Sequence, residues 1–390
     1  MTDNTRDIPD NVRNVLVIMT DQHRTDTIGC LGNPHARTPV IDAMGESGFA
    51  FTHCFTPTAI CTPARASLMT GKRPGKHQVL ANPEWNIAYQ VSIPKGTWTY
   101  TQELRDVGYN VGIVGKYHCG YNLPDEWFDL INPDLVELPE NFGDSLIGKP
   151  PIQENYATYW STSSFTNEQW KKLIAVYWGY TAMIDYEIGR ILDDTAVFFC
   201  ADHGEFTGSH RLNDKGPMMY DDIYNVPFIA RIPGVSTVGR SDAFVSLIDL
   251  PATVLDIVGL DTSLVEDGRS IVDLTRGEDV EGWRQDIVCE FHGHHFPLQQ
   301  RMLRTRDFKL VINPESINEL YDLRLDPAEI NNVYTVPVYD EIRRELATNL
   351  YLQLRERGDH SFAKWMAAMT DFDIPLVNTA RSDLDEVTSD

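Results

Sequence analysis

Three short stretches carry residue types that do chemistry. Asp21-Gln22 sets a carboxylate beside a carboxamide, both hard oxygen donors suited to a divalent cation such as Ca2+, Mg2+ or Mn2+. Taken alone, an aspartate after a strand reads equally as a helix cap. Cys61-Thr62-Pro63-Ala64-Arg65 reads as a turn entering a helix, with Pro63 in the first turn. A helix N-terminus lowers a thiol's pKa and attracts anions, and Arg65, about one turn on, can face the same point. The plainer reading is a buried cysteine with a surface arginine. Ala201-Asp202-His203-Gly204-Glu205, followed by Lys215-Gly216-Pro217, offers one oxygen and one nitrogen ligand beside a glycine that permits a sharp turn. Its alternative is a capping aspartate and a hydrogen-bonded histidine.

Each stretch comes after an element able to hold it still. Residues 14–20 are a continuous apolar run rich in β-branched side chains, as in a buried parallel strand, and Asp21 comes directly after it. Residues 102–109 read as a helix capped by Gly108, and residues 109–114 as a strand running into Gly115-Lys116-Tyr117-His118. A helix over about 167–193 precedes a third strand, residues 195–200, that delivers Asp202-His203, and residues 226–232 read as a fourth. This alternation predicts an α/β fold, a large mostly parallel sheet flanked by helices, with ligands past the carboxyl ends of its strands. From about residue 290 the texture changes to hairpin strands (300–312 and 319–323) and a helix at about 339–356. The expected organisation is a catalytic α/β domain over 12–290, a C-terminal α+β subdomain over 291–380 with a small antiparallel sheet and a helix, and an acidic tail over 381–390.

The 390 residues hold 57 Asp and Glu against 33 Lys and Arg, a net charge of −24. No broad basic surface is available to neutralise phosphates, which excludes nucleic acid and disfavours anionic membranes. An anionic substrate therefore needs a local cationic site or a metal, set against the overall field. No run approaches the roughly 18 apolar residues of a membrane span. The N-terminus is polar and acidic, unlike a signal peptide, so a cytoplasmic location is expected. The six cysteines form no CxxC pair and are expected mostly as small core residues.

Taken together, the stretches resemble the type I, formylglycine-dependent sulfatases of the alkaline-phosphatase superfamily. Thr20-Asp21-Gln22-His23-Arg24, Thr38-Pro39-Val40-Ile41-Asp42, Cys61 to Gly71, Gly115-Lys116-Tyr117-His118, Asp202-His203-Gly204, Lys215-Gly216-Pro217-Met218-Met219-Tyr220 and Tyr321-Asp322-Leu323 occur in that family's order. The resemblance implies that a formylglycine-generating enzyme oxidises Cys61 to formylglycine. One hydroxyl of the hydrated aldehyde would attack sulfur, and the other would expel sulfate as the aldehyde re-forms. Carried over residue by residue, it implies that Asp21, Gln22, Asp202 and His203 hold one divalent cation together with the modified Cys61. Ca2+ leads, with Mn2+ or Mg2+ open. Arg65 would hold the diol, and Lys116, His118 and Lys215 would neutralise sulfate oxygens. The implied substrate is a small anionic ester, an aryl or carbohydrate sulfate.

Two departures from the family pattern matter. Relatives usually carry a hydrophobic strand ending in a Pro-His pair, whose histidine assists departure of the alcohol. Here no histidine lies between His118 and His203, and the shortening falls near residues 129–133. His210, or the run His292-Gly293-His294-His295, stands as a candidate replacement acid. The pairing of Asp-Gln with Asp-His also occurs in phosphonate monoester hydrolases of the same superfamily. Hydrolysis of phosphonate monoesters or phosphodiesters is therefore the second reading, and a catalytically silent, anion-binding member the third. Trp85, His294, His295, Gln299, Arg301 and Arg304 are candidates for a sugar pocket, with structural roles equally open.

Overall fold

The structure, a computed structural model, describes residues 14–82, 92–94, 96–111, 132–159, 162–188, 195–293, 298–314 and 316–369. Lys116, His118, Cys119, Trp85, His294, His295 and the tail at 381–390 lie outside these residues, as does the second half, 112–114, of the strand expected at 109–114.

The main sheet has the order β1 (Val15–Thr20), β4 (Ala196–Ala201), β5 (Phe228–Arg231), β2 (Phe49–Phe51), β6 (Gly239–Ser241). A short parallel pair, β3 (Cys54–Phe55) with β7 (Val245–Ser246), lies beside it. β1 and β4 run parallel, with Thr20 opposite Ala201. The residue after each strand is therefore an aspartate, and Asp21 and Asp202 emerge side by side from one sheet edge. β4 is buried throughout. Its Phe198 and Cys200 face one apolar cluster and its Val197 and Phe199 the other, which is why its sequence is apolar without alternation. Helix α1 (Pro39–Ser47) covers the second face through Ile41 and Met44. Helices α2 (Cys61–Thr70) and α4 (Asp249–Ile257) cover the first through Leu68, Leu250, Val254 and Leu255. Helix α3 (Asn167–Ile188) precedes β4, and its Asp185 caps α1 by accepting the Val40 and Ile41 N–H groups at 3.1 and 2.7 Å.

The sheet is mixed where a mostly parallel one was expected: β5 runs antiparallel to both β4 and β2. An antiparallel neighbour needs no crossover helix, so residues 202–227 are free to fold back over the strand ends and supply side chains there. A second sheet, ordered β11 (Glu319–Asp322), β10 (Phe308–Ile312), β9 (Gln300–Thr305), β8 (Asp286–Phe291), is antiparallel throughout. Alternation decides what it covers. Val288, Leu303, Leu310 and Leu320 pack on helices α5 (Asp340–Glu356) and α6 (His360–Met369). Ile287, Cys289, Met302 and Tyr321 face Phe55, Ile60, Phe206 and Tyr220 of the main domain. Cys54, Cys200 and Cys289 are fully buried, and no disulfide joins the described cysteines.

Candidate active site

The β1 and β4 ends, the head of α2 and the 202–227 segment converge on one point. Asp202 is wholly buried, and its Oδ1 accepts the backbone N–H groups of Gln22 and His203, both at 3.0 Å. Gln22 holds a left-handed φ of 58°, unusual without glycine, and this bond pins it. Cys61 is the first residue of α2, and its Sγ sits 3.1 Å from His203 Nε2 and 3.8 Å from Asp21 Oδ1. His203 Nε2 lies 3.8 Å from Asp21 Oδ1 and 3.7 Å from Asp202 Oδ1. Donor atoms of Asp21, Cys61, Asp202 and His203 all fall within 4.8 Å of one another. Oxygen or nitrogen donors about 2.0–2.6 Å from a shared cation have such separations, so this donor set fits a divalent ion. His203 Nδ1 lies 2.9 Å from its neighbour's carbonyl, Gly204 O. The neutral ring then carries its proton on Nδ1 and aims the Nε2 lone pair into the cluster.

Gln22 is oriented by groups of fixed polarity. Its Nε2 donates to Glu205 and, at 2.9 Å, to Asp214 Oδ1. Its Oε1 accepts Lys215 Nζ at 3.2 Å. Two carboxylates on one side and an ammonium on the other allow only one amide orientation, with the oxygen toward Lys215. Lys215 also holds Asp214 Oδ1 at 3.0 Å. Arg65, one turn into α2, donates from Nε to Asp202 Oδ2 at 2.9 Å and approaches Asp21 Oδ2 at 3.9 Å. Glu205 and Asp214 had no role in the sequence reading. The visible signal for Glu205 was an acid directly after the Asp-His-Gly turn.

Charges are strongly coupled here. Burial opposes ionisation of Cys61, but His203's charge and hydrogen bond, with Lys215, outweigh it and leave the thiol below its ordinary value. Burial likewise opposes the His203 imidazolium, but Asp202 and Cys61 lift its pKa to about 9. Arg65 is held above its usual range against its own burial by Asp202 and Asp21.

Gly204 is required for close approach instead of a sharp turn. A Cβ there would meet the backbone Asp222 O at 2.1 Å. Gly204 N–H also donates to Ile223 O at 3.0 Å, which fixes the separation. Gly204→Ala is expected to destabilise the fold by about 3 kcal/mol, at the upper end of overpacking costs. By displacing Asp202 and His203 it should also lower kcat/KM about 100-fold. Urea unfolding and steady-state rates of the soluble variant check both.

Several sequence candidates go elsewhere. His210 is fully buried: its Nδ1 lies 2.6 Å from Asp144 Oδ2, its Nε2 2.9 Å from Asn141 Nδ2, and its ring stacks on Tyr220. It is a structural histidine and cannot serve as a replacement acid in this position. His292 is engaged at 2.8 Å by Glu290 Oε2. Arg301 is buried with Asp359 at 2.6 Å, and Arg304 is paired with Asp221 at 3.0 Å, so neither is available to a sugar.

A family profile described as Sulfatase matches residues 13–167 and 148–260. One described as N-sulphoglucosamine sulphohydrolase, C-terminal, matches residues 208–356. An ulvan-active sulfatase of Formosa agariphila is 26% identical over 421 aligned residues, which cover 89% of this chain and 80% of that one. A solved structure in complex with its substrate D-glucosamine-2-N,6-O-disulfate superposes with a TM-score of 0.76 at 18% identity, covering 90% of this chain and 99% of that one. The phosphonate monoester hydrolase of Agrobacterium radiobacter does so with a TM-score of 0.72 at 23% identity, covering 88% and 95%.

Proposed function

The chain belongs to the sulfatase family of sulfuric ester hydrolases, and we propose from its site that it cleaves a carbohydrate or aryl sulfate monoester through a formylglycine derived from Cys61. The observation that carries this reading is the meeting of Cys61 with Asp21, Asp202 and His203 at the head of α2, with Arg65 and Lys215 alongside. The preference for a sugar sulfate draws on the glucosamine named by the C-terminal profile.

Asp21, Gln22, Asp202 and His203 would hold the cation, Ca2+ first, with Cys61 beside it. Bound there, the cation would supply Lewis acidity toward a sulfate oxygen and acidify the diol. The chain's own residues do the rest. Asp202 fixes the Gln22 and His203 backbones and the Arg65 guanidinium in one frame. Arg65 steadies the diol, and Lys215 meets charge developing on sulfate oxygens. Lys116 and His118 join it in this reading on the strength of the sequence alone. Maturation calls for a formylglycine-generating enzyme. The test is peptide mass spectrometry across residues 50–73, after co-expression with that enzyme, paired with turnover. Cys61 should carry the formylglycine mass, and Cys61→Ala should lose sulfate ester hydrolysis by at least ~10^4-fold. An unconverted Cys61 in active protein overturns the reading.

A second reading, hydrolysis of phosphonate monoesters or phosphodiesters, is favoured by the Asp21-Gln22 and Asp202-His203 pairs and by the fold likeness to a phosphonate monoester hydrolase. A panel of sulfate monoesters against phosphonate and phosphate diesters separates the two. Faster turnover of diesters than of every sulfate selects the second.

Metal binding carries its own pH signature. Without metal, His203 keeps its proton up to about pH 9. The raised value contributes stability that is complete below the ordinary value of 6.5 and lost as pH rises through about 9. A cation can use Nε2 only after displacing that proton. For the unconverted chain, calorimetric affinity for Ca2+ or Mn2+ should rise about tenfold per pH unit between roughly pH 7 and 8.5, with proton release to buffer. A flat profile removes His203 from the ligand set.

A further inference from the structure

A cavity of about 460 Å³ lies between the far end of α2 and the C-terminal sheet, walled in part by Pro57, Arg73, Asp267, Arg284, Asp286 and Arg357. Its volume is in the range of sites for sugar-sized ligands. It is not the reactive centre. Cys61 heads α2, whereas Asp267 hydrogen-bonds at 3.3 Å to the carbonyl of Gly71, the residue that caps the other end. A helix of ten residues separates the two by roughly 14 Å.

The charged side chains around this cavity are held in different ways: Lys76 pairs with Glu266 at 3.3 Å, Arg269 donates to Gly282 O at 3.0 Å, and Glu356 has no paired cation among the described residues. Arg73 pairs with Asp267 at 2.6 Å. Arg284 grips both oxygens of Asp249 at 2.9 and 2.7 Å. The oxygens of Asp286 are taken by the Gln353 and Asn349 amides at 2.8 and 2.7 Å. Arg357 is different: among the described residues its side chain donates only to the neutral amide oxygen of Gln353, and no carboxylate pairs with it. Burial, then the like charge of Arg73, pull its pKa down to about 10, although Glu290 and Asp286 act the other way. A guanidinium has five N–H donors in a fork that matches an oxyanion. A partly buried one without a direct counter-ion costs free energy, and an incoming anion would reduce that cost.

We propose that Arg357, with Arg73 beside it, forms a second anion site that receives a sulfate group, carried either by free inorganic sulfate or by a sulfated sugar. The site needs an oxyanion and no turnover, so it stands apart from the hydrolase reading.

The experiment uses the full chain carrying Lys215→Met, which weakens anion binding at the reactive centre. Inorganic sulfate and glucosamine 6-sulfate are titrated by calorimetry with and without Arg357→Met. Removing Arg357 should weaken the remaining binding at least tenfold, and Arg357→Lys, which keeps the charge and loses the fork, should fall between. A sugar ester bound tenfold tighter than inorganic sulfate identifies the sugar as the source, and equal or weaker binding identifies the free ion. Melting provides a readout independent of affinity. Without added anion, Arg357→Met should melt about 2 °C above the parent, because a partly buried charge with no direct counter-ion is gone, and sulfate should close the gap. Unchanged affinity without Arg357, or a lower melting point in anion-free buffer, overturns the proposal.

Discussion

Asp202→Asn is expected to lower kcat/KM about a thousandfold and to cost about 3 kcal/mol of stability. Both effects stem from the bonds the carboxylate accepts. Oδ1 takes two backbone N–H groups, from Gln22 and His203, and Oδ2 takes the Arg65 Nε–H. An asparagine has one acceptor oxygen. Whichever way its amide turns, its NH2 group meets either two N–H donors or a guanidinium. Gln22 then loses the bond that holds its left-handed backbone, and the whole Asp21-Gln22 turn loosens. The lost charge matters as well. Asp202 leads the interactions that raise both the His203 and the Arg65 pKa, so the variant leaves cationic groups in a buried site with one counter-charge fewer. In the metal-free variant His203 should titrate below its parental value of about 9. NMR titration of the ring, with kinetics and urea unfolding, checks all three. Retention of more than about a tenth of the parental kcat/KM overturns Asp202 as a central residue of the site.

That dependence on one carboxylate shows where sequence reasoning succeeds and where it stops. Strands β1 and β4 were legible because both faces of each pack on apolar clusters, fully in β4 and partly in β1, which makes their sequences continuously apolar, and the polar residues just past each strand could be read as strand-end chemistry. An apolar run carries no direction, so β5 could not be seen to run antiparallel. The adjacency of Asp21 and Asp202 depends on the register that sets Thr20 against Ala201, across 180 residues of sequence, and no local pattern encodes it. Gly204 was noticed for the wrong reason. The carbonyl of Asp222 that forbids a side chain there comes from a segment 18 residues further on. His210 had the right residue type and the wrong surroundings, since only tertiary structure encloses it with Asp144, Asn141 and Tyr220. Glu205 and Asp214 obey the same logic: any acid near a motif is a candidate, and only the geometry shows which ones turn the Gln22 amide.

Lys309→Met is expected to cost about 3–5 kcal/mol, the largest stability loss of any single change considered. Lys309 sits on β10 with a fully buried side chain. Its Nζ lies 2.5 Å from Asp221 Oδ1, is paired with Glu329, and donates at 3.0 Å to Met219 O. Arg304 from β9 reaches Asp221 Oδ2 at 3.0 Å, and Asp221 N–H donates to Glu329 Oε2 at 2.8 Å. The cluster joins the C-terminal sheet to the segment that carries Lys215 and Asp222. Methionine matches the volume of the lysine stem, so the loss is electrostatic. Asp221 keeps Arg304, but Glu329 loses its cation and faces another carboxylate in a dry site. Burial already raises the Glu329 pKa against the pull of Lys309, and removing Lys309 raises it further. A carboxylate with a raised pKa destabilises above its unfolded value and recovers on protonation, so the variant should regain stability as pH falls from 7 toward 5. The parent, whose Glu329 pKa is raised less, should show a smaller gain. Adding Glu329→Gln removes the orphaned charge, and the double variant should recover about 1–3 kcal/mol relative to the sum of the single changes. Urea unfolding of the four proteins at two pH values closes the cycle. Additive losses that do not change with pH would show that Lys309 contributes packing alone.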